Sequence, residues 1–236
     1  MKPSVTLLIP TLNEIDGMRQ IMPRIKREWV DQILVVDGGS TDGTAAWARE
    51  HGYEVYIQKE KGLRRAFIEA WPLIRGDIVI TFSPDANCIP ELIPPLVEKM
   101  KAGYDMVIVS RYLDGAKSED DNPVTAFGNW FFTHILINGL HGGRYTDALG
   151  IYRAYKTKLF YELEIDKEVA YVPEKFWFTT VGCEPLISIR MAKRKLKVTE
   201  IPGDEPKRQR GQAKLQTVRW GGAYLFQAIR ELWYWR

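Results

Sequence analysis

The chain has 236 residues, a formal net charge of +3 and two cysteines. This length can bury the core of one large domain, and 45% hydrophobic with 27% charged residues excludes a disordered chain. The 19 glycines and 13 prolines follow no fixed period, which excludes a collagen-like protein. Because two cysteines cannot form a disulfide framework, we expect a cytoplasmic location.

The chain lacks the sequence signals of membrane insertion or secretion. Its longest nearly uncharged apolar stretch, residues 130–140, is shorter than the roughly 18–20 residues of a membrane span. Strand-like residues 5–9 follow so soon after the first residue that a signal peptide has no room. We therefore expect neither a membrane-spanning helix nor a secretion signal.

The first hundred residues alternate between two apolar patterns. Short β-branched runs predict strands at residues 5–9, 32–37, 53–57, 77–82 and 105–110. Helical spacing of apolar residues separates them at residues 18–25, 45–49, 66–73 and 92–100. This alternation predicts an α/β fold with a mostly parallel central sheet flanked by helices. In such sheets ligands bind outside the carboxyl ends of the strands.

The second half is less regular. Residues 117–122 have the composition of an exposed, flexible loop. The remaining predicted elements are an aromatic-rich helix at 126–140, a strand at 150–155, helices at 156–163 and 180–195, a strand at 197–201, and a terminal helix. No repeat or long linker interrupts the chain, so we expect one domain over residues 1–220 and an aromatic-rich amphipathic helix over 213–236.

Positive charge is concentrated near the C-terminus. Residues 190–219 contain ten Lys or Arg against three acids, a net charge of +7. This segment is predicted to face anions, such as ligand phosphates or lipid head groups; the alternative is a solvated basic surface. No nucleic-acid-binding motif is present, so we expect no nucleic-acid partner.

Two strands end in polar turns that suggest ligand contact. Asp85 and Asn87, in the turn at residues 83–87, could bind one hard cation, although an ordinary Asx turn is the alternative. Asp37, in the segment VVDGGSTDGT at residues 35–44, could accept hydrogen bonds from a ribose or a base. Helix capping explains part of that second segment, and it contains no G-x-G-x-x-G motif.

The order of several motifs resembles that of family 2 glycosyltransferases with the GT-A fold, which binds nucleotide sugars. The motifs are IPTLNE (9–14), VVDGGSTDGT (35–44), SPDAN (83–87), SRY (110–112) and TDALGIYRAY (146–155). The later segments EIP (200–202) and RQRGQAKL (208–215) are similar to the dolichol-phosphate mannose synthase branch. The resemblance covers residues 4 to about 220.

This resemblance implies roles for individual residues. The implied donor-binding residues are Pro10, Asn13, Glu14, Asp37, Lys61, Gly62, Asp85, Arg208 and Lys214. The implied catalytic residues are Asp85, Arg111, Asp147 and Glu184, with Arg111 facing phosphate and either Asp147 or Glu184 as a general base. Asp85 and Asn87 match the family's metal-binding Asp-x-Asp, which implies a divalent cation, Mg²⁺ or Mn²⁺. Asn87 departs from that motif and removes one negative charge.

The implied reaction is inverting transfer of a sugar from a GDP- or UDP-linked donor, with a polyprenyl or dolichyl phosphate as the expected acceptor. Aromatic residues crowd segments 127–136 and 220–235 beside the basic segment, which is typical of a protein bound peripherally to the cytoplasmic face of a membrane. Core or dimer contacts are the alternative use of these aromatics. A soluble or glycan hydroxyl acceptor and a non-catalytic nucleotide-sugar-binding protein remain alternatives, and the oligomeric state is open.

Overall fold

The structure is a computed structural model that describes residues 3–207 and 217–235. Its strands are β1 (Val5–Thr11), β2 (Gln32–Asp37), β3 (Glu54–Ile57), β4 (Ile78–Thr81), β5 (Met106–Ser110), β6 (Arg153–Lys156) and β7 (Val198–Pro202). Its helices are α1 (Ile15–Ile21), α2 (Thr44–Glu50), α3 (Leu63–Ala70), α4 (Ile93–Lys101), α5 (Pro123–Trp130), α6 (Leu159–Glu162), α7 (Pro173–Trp177), α8 (Glu184–Lys193) and α9 (Thr217–Arg230).

All seven strands form one sheet in the order β3-β2-β1-β4-β6-β5-β7. Only β6 runs antiparallel, between β4 and β5, so the predicted α/β fold with a mostly parallel sheet is confirmed. The carboxyl ends of the six parallel strands and the amino end of β6 therefore lie along one edge, which we call the site edge. Every candidate motif of the described chain follows a strand at this edge or precedes β6 there.

The continuous apolar runs of the strands are buried on both faces of the sheet. Leu8 and Leu34 pack into one core, with α3, α8 and α9. Their neighbours Leu7, Ile9 and Val35 pack into a second core on the opposite face, with α1 and α4. Because successive strand residues point to opposite faces, each run contributes to both cores and fixes the position of its polar end.

The aromatic-rich helix differs from the single α-helix predicted over residues 126–140. It begins at Pro123, after a capping box in which the Asn122 side chain accepts hydrogen bonds from Val124 and Thr125. From Phe131 to Gly139 the backbone is π-helical. Apolar spacing does not distinguish the two kinds of helix, because the difference lies in the backbone hydrogen-bond pattern.

A fully buried ion pair joins Glu231, the residue that follows the C-terminal helix α9, to Arg190 of α8. The Arg190 guanidinium donates to both carboxylate oxygens of Glu231, at 2.9 Å each, and to the carbonyl oxygens of Leu163 and Glu164. The basic segment was expected to face anions, but Arg190 lies in the core instead. Among the described residues, no helix is long and apolar enough to cross a membrane.

Candidate active site

The turns after β1 and β2 are hydrogen-bonded to each other. Asn13, with a φ of 56°, accepts a hydrogen bond at Oδ1 from the Thr41 amide at 2.8 Å. The backbone amide of Asn13 donates to Ser40 Oγ at 2.8 Å, and the backbone amide of Glu14 donates to Thr44 Oγ1 at 3.0 Å. Pro10 lies just before these residues in β1. The structure thus brings the candidate donor-binding residues of both turns together.

Asp37 is buried at the end of β2 and organises the turn that follows it. One carboxylate oxygen accepts hydrogen bonds from the amides of Gly39 at 2.9 Å and Ser40 at 2.8 Å. The other accepts from Thr11 Oγ1 at 3.2 Å. A carboxylate has about four lone-pair sites, so these three bonds leave limited capacity for a ligand.

The turn at residues 83–87 lies against α1. A Cβ on Gly17 would stand 2.2 Å from the Pro84 carbonyl oxygen, so only glycine permits this contact between the helix and the turn. Within the turn, the backbone amide of Asn87 donates to Asp85 Oδ1 at 3.3 Å. The side chain of Asn87 is buried and donates from Nδ2 to Asp120 Oδ2 at 3.3 Å, while its Oδ1 has no hydrogen-bond partner among the described residues.

Arg111, immediately after β5, is held by two acids. Its Nε donates to Asp147 Oδ2 at 2.6 Å and its Nη2 to Asp147 Oδ1 at 3.0 Å. Its Nη1 donates to Glu205 Oε2 at 3.2 Å. Charge-assisted bonds of this forked geometry are strong and fix the guanidinium plane at the site edge.

Asp147 is completely buried. Burial alone would raise the pKa of its carboxyl group, but the Arg111 guanidinium outweighs burial and holds that pKa below its ordinary value. Glu200 of β7 fixes the loop itself, because its carboxylate accepts hydrogen bonds from the backbone amides of Thr146 and Asp147 at 2.8 and 2.9 Å. These contacts hold Asp147 as the partner of Arg111.

Glu184, the other candidate base, begins α8 inside the core. Its Oε1 is buried without a hydrogen-bond partner among the described residues. Burial raises the pKa of its carboxyl group, and the positive charge of Arg153 offsets this only in part. The side chain is therefore poorly stabilised as an anion in the structure described here.

Replacing Glu184 by Gln is expected to stabilise the protein at pH 8. The raised pKa in the folded state means that stability falls as pH rises above the ordinary glutamate value of 4.5. A buried, unsatisfied charge costs about 1–3 kcal/mol or more, and the neutral amide avoids this cost. Urea unfolding at pH 8 and pH 5 measures the effect: the variant should gain more at pH 8, and an equal or larger gain at pH 5 would contradict it.

Lys61 and Gly62 lie at the same edge, after β3. Gly62 has a φ of 114°, and a Cβ there would stand 3.3 Å from Thr180 Cγ2, close to the segment that leads to Glu184. The remaining two candidates, Arg208 and Lys214, lie outside the described residues.

Charged groups from three loops act electrostatically on the buried Cys88. Burial raises the pKa of its thiol, Asp85 and Glu205 raise that pKa further, and Arg111 lowers it. Glu205 after β7 and Arg111 after β5 therefore both act electrostatically on the turn after β4. Among the described residues, no group of three or more His, Cys, Asp or Glu is arranged to hold a metal ion.

Sequence reasoning assigned no site role to three acids of this network, Asp120, Glu200 and Glu205, although Glu200 belongs to the motif EIP. Asp120 belongs to the segment 117–122, which was predicted only as an exposed loop. The structure joins this loop to the segment after β7, because the Glu119 amide donates to the Glu205 carbonyl oxygen at 2.9 Å and the Glu205 amide to that of Lys117 at 2.8 Å. The loop contains three consecutive acids, Glu119, Asp120 and Asp121, and this run was the feature of the sequence that could have indicated a site residue there.

Comparison with solved structures shows the same fold. A glucosyl-3-phosphoglycerate synthase from Mycobacterium tuberculosis, in complex with Mn²⁺, UDP-glucose and phosphoglyceric acid, matches with a TM-score of 0.68 and 18% identity, over 98% of this chain and 79% of that one. A mannosyl-3-phosphoglycerate synthase from Rubrobacter xylanophilus matches with a TM-score of 0.64 and 20% identity, over 98% and 74% of the two chains. The predicted GT-A fold is therefore confirmed.

Comparison with curated proteins gives more similar sequences. A dolichol-phosphate mannosyltransferase of Pyrococcus furiosus is 30% identical over 97% of this chain, which spans 62% of that protein's length. An undecaprenyl-phosphate mannosyltransferase of Micrococcus luteus is 26% identical over 96% of this chain and 97% of its own length. The family model described as glycosyl transferase family 2 matches residues 6–164. The chain therefore belongs to glycosyl transferase family 2.

Proposed function

We propose that this protein transfers a sugar, with inversion, from a nucleoside-diphosphate sugar to a polyprenyl phosphate. The observation that carries the proposal is that the Asp85–Asn87 turn and the fixed guanidinium of Arg111 both lie at one edge of the sheet. Family membership and the lipid-phosphate sugar transferases among the relatives support it. The proposed donor carries either GDP or UDP.

The site residues serve the leaving group. When the bond between the anomeric carbon and the diphosphate breaks, negative charge grows on the departing phosphate oxygen. Arg111 can donate to that oxygen without reorganising, since Asp147 and Glu205 already fix its orientation. Asp37 and Asn13 shape the turns that would receive the nucleoside, and Lys61, Arg208 and Lys214 remain proposed donor contacts.

The residues of the turn at 83–87 fit a divalent cation. The unpartnered, buried Oδ1 of Asn87 is a hard oxygen ligand, and the Asp85 carboxylate lies two residues away in the same turn. We propose that these two residues hold Mg²⁺ or Mn²⁺ together with the diphosphate. When bound, such an ion would neutralise charge on the departing diphosphate.

The surroundings of the two candidate bases favour an acceptor that needs none. Asp147 is held by the Arg111 guanidinium, and the Glu184 carboxyl group is buried away from solvent. A hydroxyl acceptor must lose a proton to a base during transfer, whereas a phosphate oxygen is already anionic. In the proposed step, a lipid phosphate oxygen forms the new bond to the anomeric carbon as the nucleoside diphosphate leaves.

Exposed aromatic residues suit a membrane-bound acceptor. Phe127, Trp130, Phe176, Phe178 and Phe226 are each 40% or more exposed; we call them the aromatic surface. They lie on or beside α5, α7 and α9, and α9 packs against both α7 and the π-helical segment that extends α5. Apolar side chains exposed in this number are typical of an interaction site. We propose that this surface rests on the cytoplasmic face of a membrane.

A transfer assay tests the proposed reaction. The protein, with Mg²⁺ or Mn²⁺, is given radiolabelled GDP-mannose, UDP-glucose or UDP-N-acetylglucosamine and undecaprenyl or dolichyl phosphate in detergent. We expect label in the lipid fraction and an equal amount of nucleoside diphosphate released with at least one donor. Release that requires a soluble hydroxyl acceptor would support the alternative transferase, and binding without any release would support a non-catalytic binding protein.

Sedimentation with anionic phospholipid vesicles tests separately whether the aromatic surface binds a membrane. We expect the protein to pellet with vesicles at low salt, and the double variant W130A/F178A to pellet less. These side chains are exposed, so their replacement should leave the unfolding midpoint unchanged. If both proteins pellet equally, or if neither pellets, the proposed membrane contact of the aromatic surface is contradicted. The proposed reaction would not be affected.

A further inference from the structure

The loop at residues 117–122 carries an acid to the candidate cation turn. Asp120 Oδ2 lies 3.3 Å from Asn87 Nδ2, although 33 residues separate them in the chain. The loop is positioned by its backbone bonds to Glu205 and by a hydrogen bond from the Lys117 amide to Asp204 Oδ1 at 2.9 Å. Glu205 also binds Arg111, so one segment links both halves of the site.

Asp120 determines which way the Asn87 amide faces. A carboxylate only accepts hydrogen bonds, so the amide nitrogen of Asn87 must point toward Asp120. The amide oxygen then points away from Asp120, buried and without a hydrogen-bond partner among the described residues. A buried amide oxygen without a donor costs free energy, and a bound cation would remove that cost.

Asp120 also adds charge where the turn lacks it. Asn87 supplies a neutral oxygen, so the turn itself offers a single carboxylate, that of Asp85. A carboxylate hydrogen-bonded to a metal ligand orients the ligand and increases its electron density. The Asp120 carboxylate accepts such a hydrogen bond from the side chain of Asn87, the ligand proposed here.

We propose that Asp120 completes the cation site: it orients the Asn87 oxygen toward the ion and supplies the negative charge that asparagine lacks. This inference rests on the proposed function, since it concerns the cation of that site. Asp120 acts through Asn87 and is a positioning residue.

Direct Mn²⁺ binding tests the proposal. The electron paramagnetic resonance signal of free Mn²⁺ is followed as full-length protein is titrated, alone and with GDP or UDP. D120N should bind Mn²⁺ at least about tenfold more weakly than the unaltered protein, because an amide at position 120 neither fixes Asn87 nor carries charge. The matched control is D121N, which removes the same charge from the next residue.

Asp121 faces away from the turn, since it accepts hydrogen bonds from Tyr112 Oη at 2.5 Å and from Asn129 Nδ2 at 3.4 Å. We expect D121N to bind Mn²⁺ within about twofold of the unaltered protein, because long-range charge alone contributes little. Urea unfolding of both variants shows whether either loses stability. D120N that binds as tightly as the unaltered protein, or D121N that loses as much as D120N, would overturn the proposal.

A double variant shows whether D120N loses Mn²⁺ affinity at the cation site or through a general loss of structure. N87D/D120N moves the negative charge from position 120 into the turn, so Mn²⁺ affinity should return to within about threefold of the unaltered protein. Failure to recover any affinity would overturn the proposal. Absence of Mn²⁺ binding by the unaltered protein would refute the cation in the proposed function as well, whereas normal binding by D120N refutes this inference alone.

Discussion

Replacing Asp147 by Asn is expected to lower the free energy of unfolding by about 3–5 kcal/mol, the cost of removing one partner from a buried ion pair. Asp147 is completely buried, and Arg111 is mostly buried beside it. The amide cannot neutralise the guanidinium, so among the described residues Arg111 keeps only Glu205 as an ion-pair partner. Because Arg111 also loses its fixed orientation, sugar transfer should fall at least about a hundredfold.

Urea unfolding of the Asp147→Asn variant measures the stability change. The exposed pair of Arg24 and Glu91 provides a control, and Glu91→Gln should cost less than about 1 kcal/mol. The pKa of Asp147 is lowered in the folded state, so its stabilisation is complete above the ordinary value of 3.8 and is lost as pH falls below it. A difference between variant and unaltered protein that stays constant through this acid range would contradict the assignment.

Replacing Glu231 by Gln is expected to destabilise the protein by a similar amount, about 3–5 kcal/mol. Arg190 and Glu231 are both completely buried and share two hydrogen bonds of 2.9 Å. The guanidinium of Arg190 also lies 4.8 Å from the centre of the Trp235 ring. Without the carboxylate, the buried charge of Arg190 keeps, among the residues the structure describes, the carbonyl oxygens of Leu163 and Glu164 and this ring as its partners.

The matched control is the exposed pair of Lys158 and Glu162. Glu162→Gln should change the free energy of unfolding by less than about 1 kcal/mol, since solvent screens that pair. If Glu231→Gln costs no more than this control, the ion pair does not hold α9 to the fold. Loss of sugar transfer without loss of stability would instead point to a direct role of α9 in the reaction.

The sheet, and the position of several candidate residues at its edge, could be predicted from the sequence. Runs such as residues 32–37 are apolar at every position but the ends, which is the pattern of a strand buried on both faces. The polar residues that end them, Asp37 and Asp85, follow strands that both pair with β1. Carboxyl ends of parallel strands meet at one edge, so local patterns were enough to place both residues at the site edge.

Long-range pairing could not be predicted in the same way. The strand expected at 150–155 proved to be the antiparallel β6, and nothing in its local sequence specifies insertion between β4 and β5. Arg190 looked like part of a basic surface because Glu231, its partner, lies 41 residues further along. The contact between Asp120 and Asn87 spans a similar separation, and only the folded chain reveals it.

The most direct test of the account is the position of Mn²⁺ in crystals grown with GDP or UDP. We predict an anomalous peak within direct coordination distance of Asp85 and of Asn87 Oδ1, with the diphosphate between that ion and Arg111. Nucleotide bound away from the site edge, or an ion that neither residue of the turn coordinates, would contradict the account.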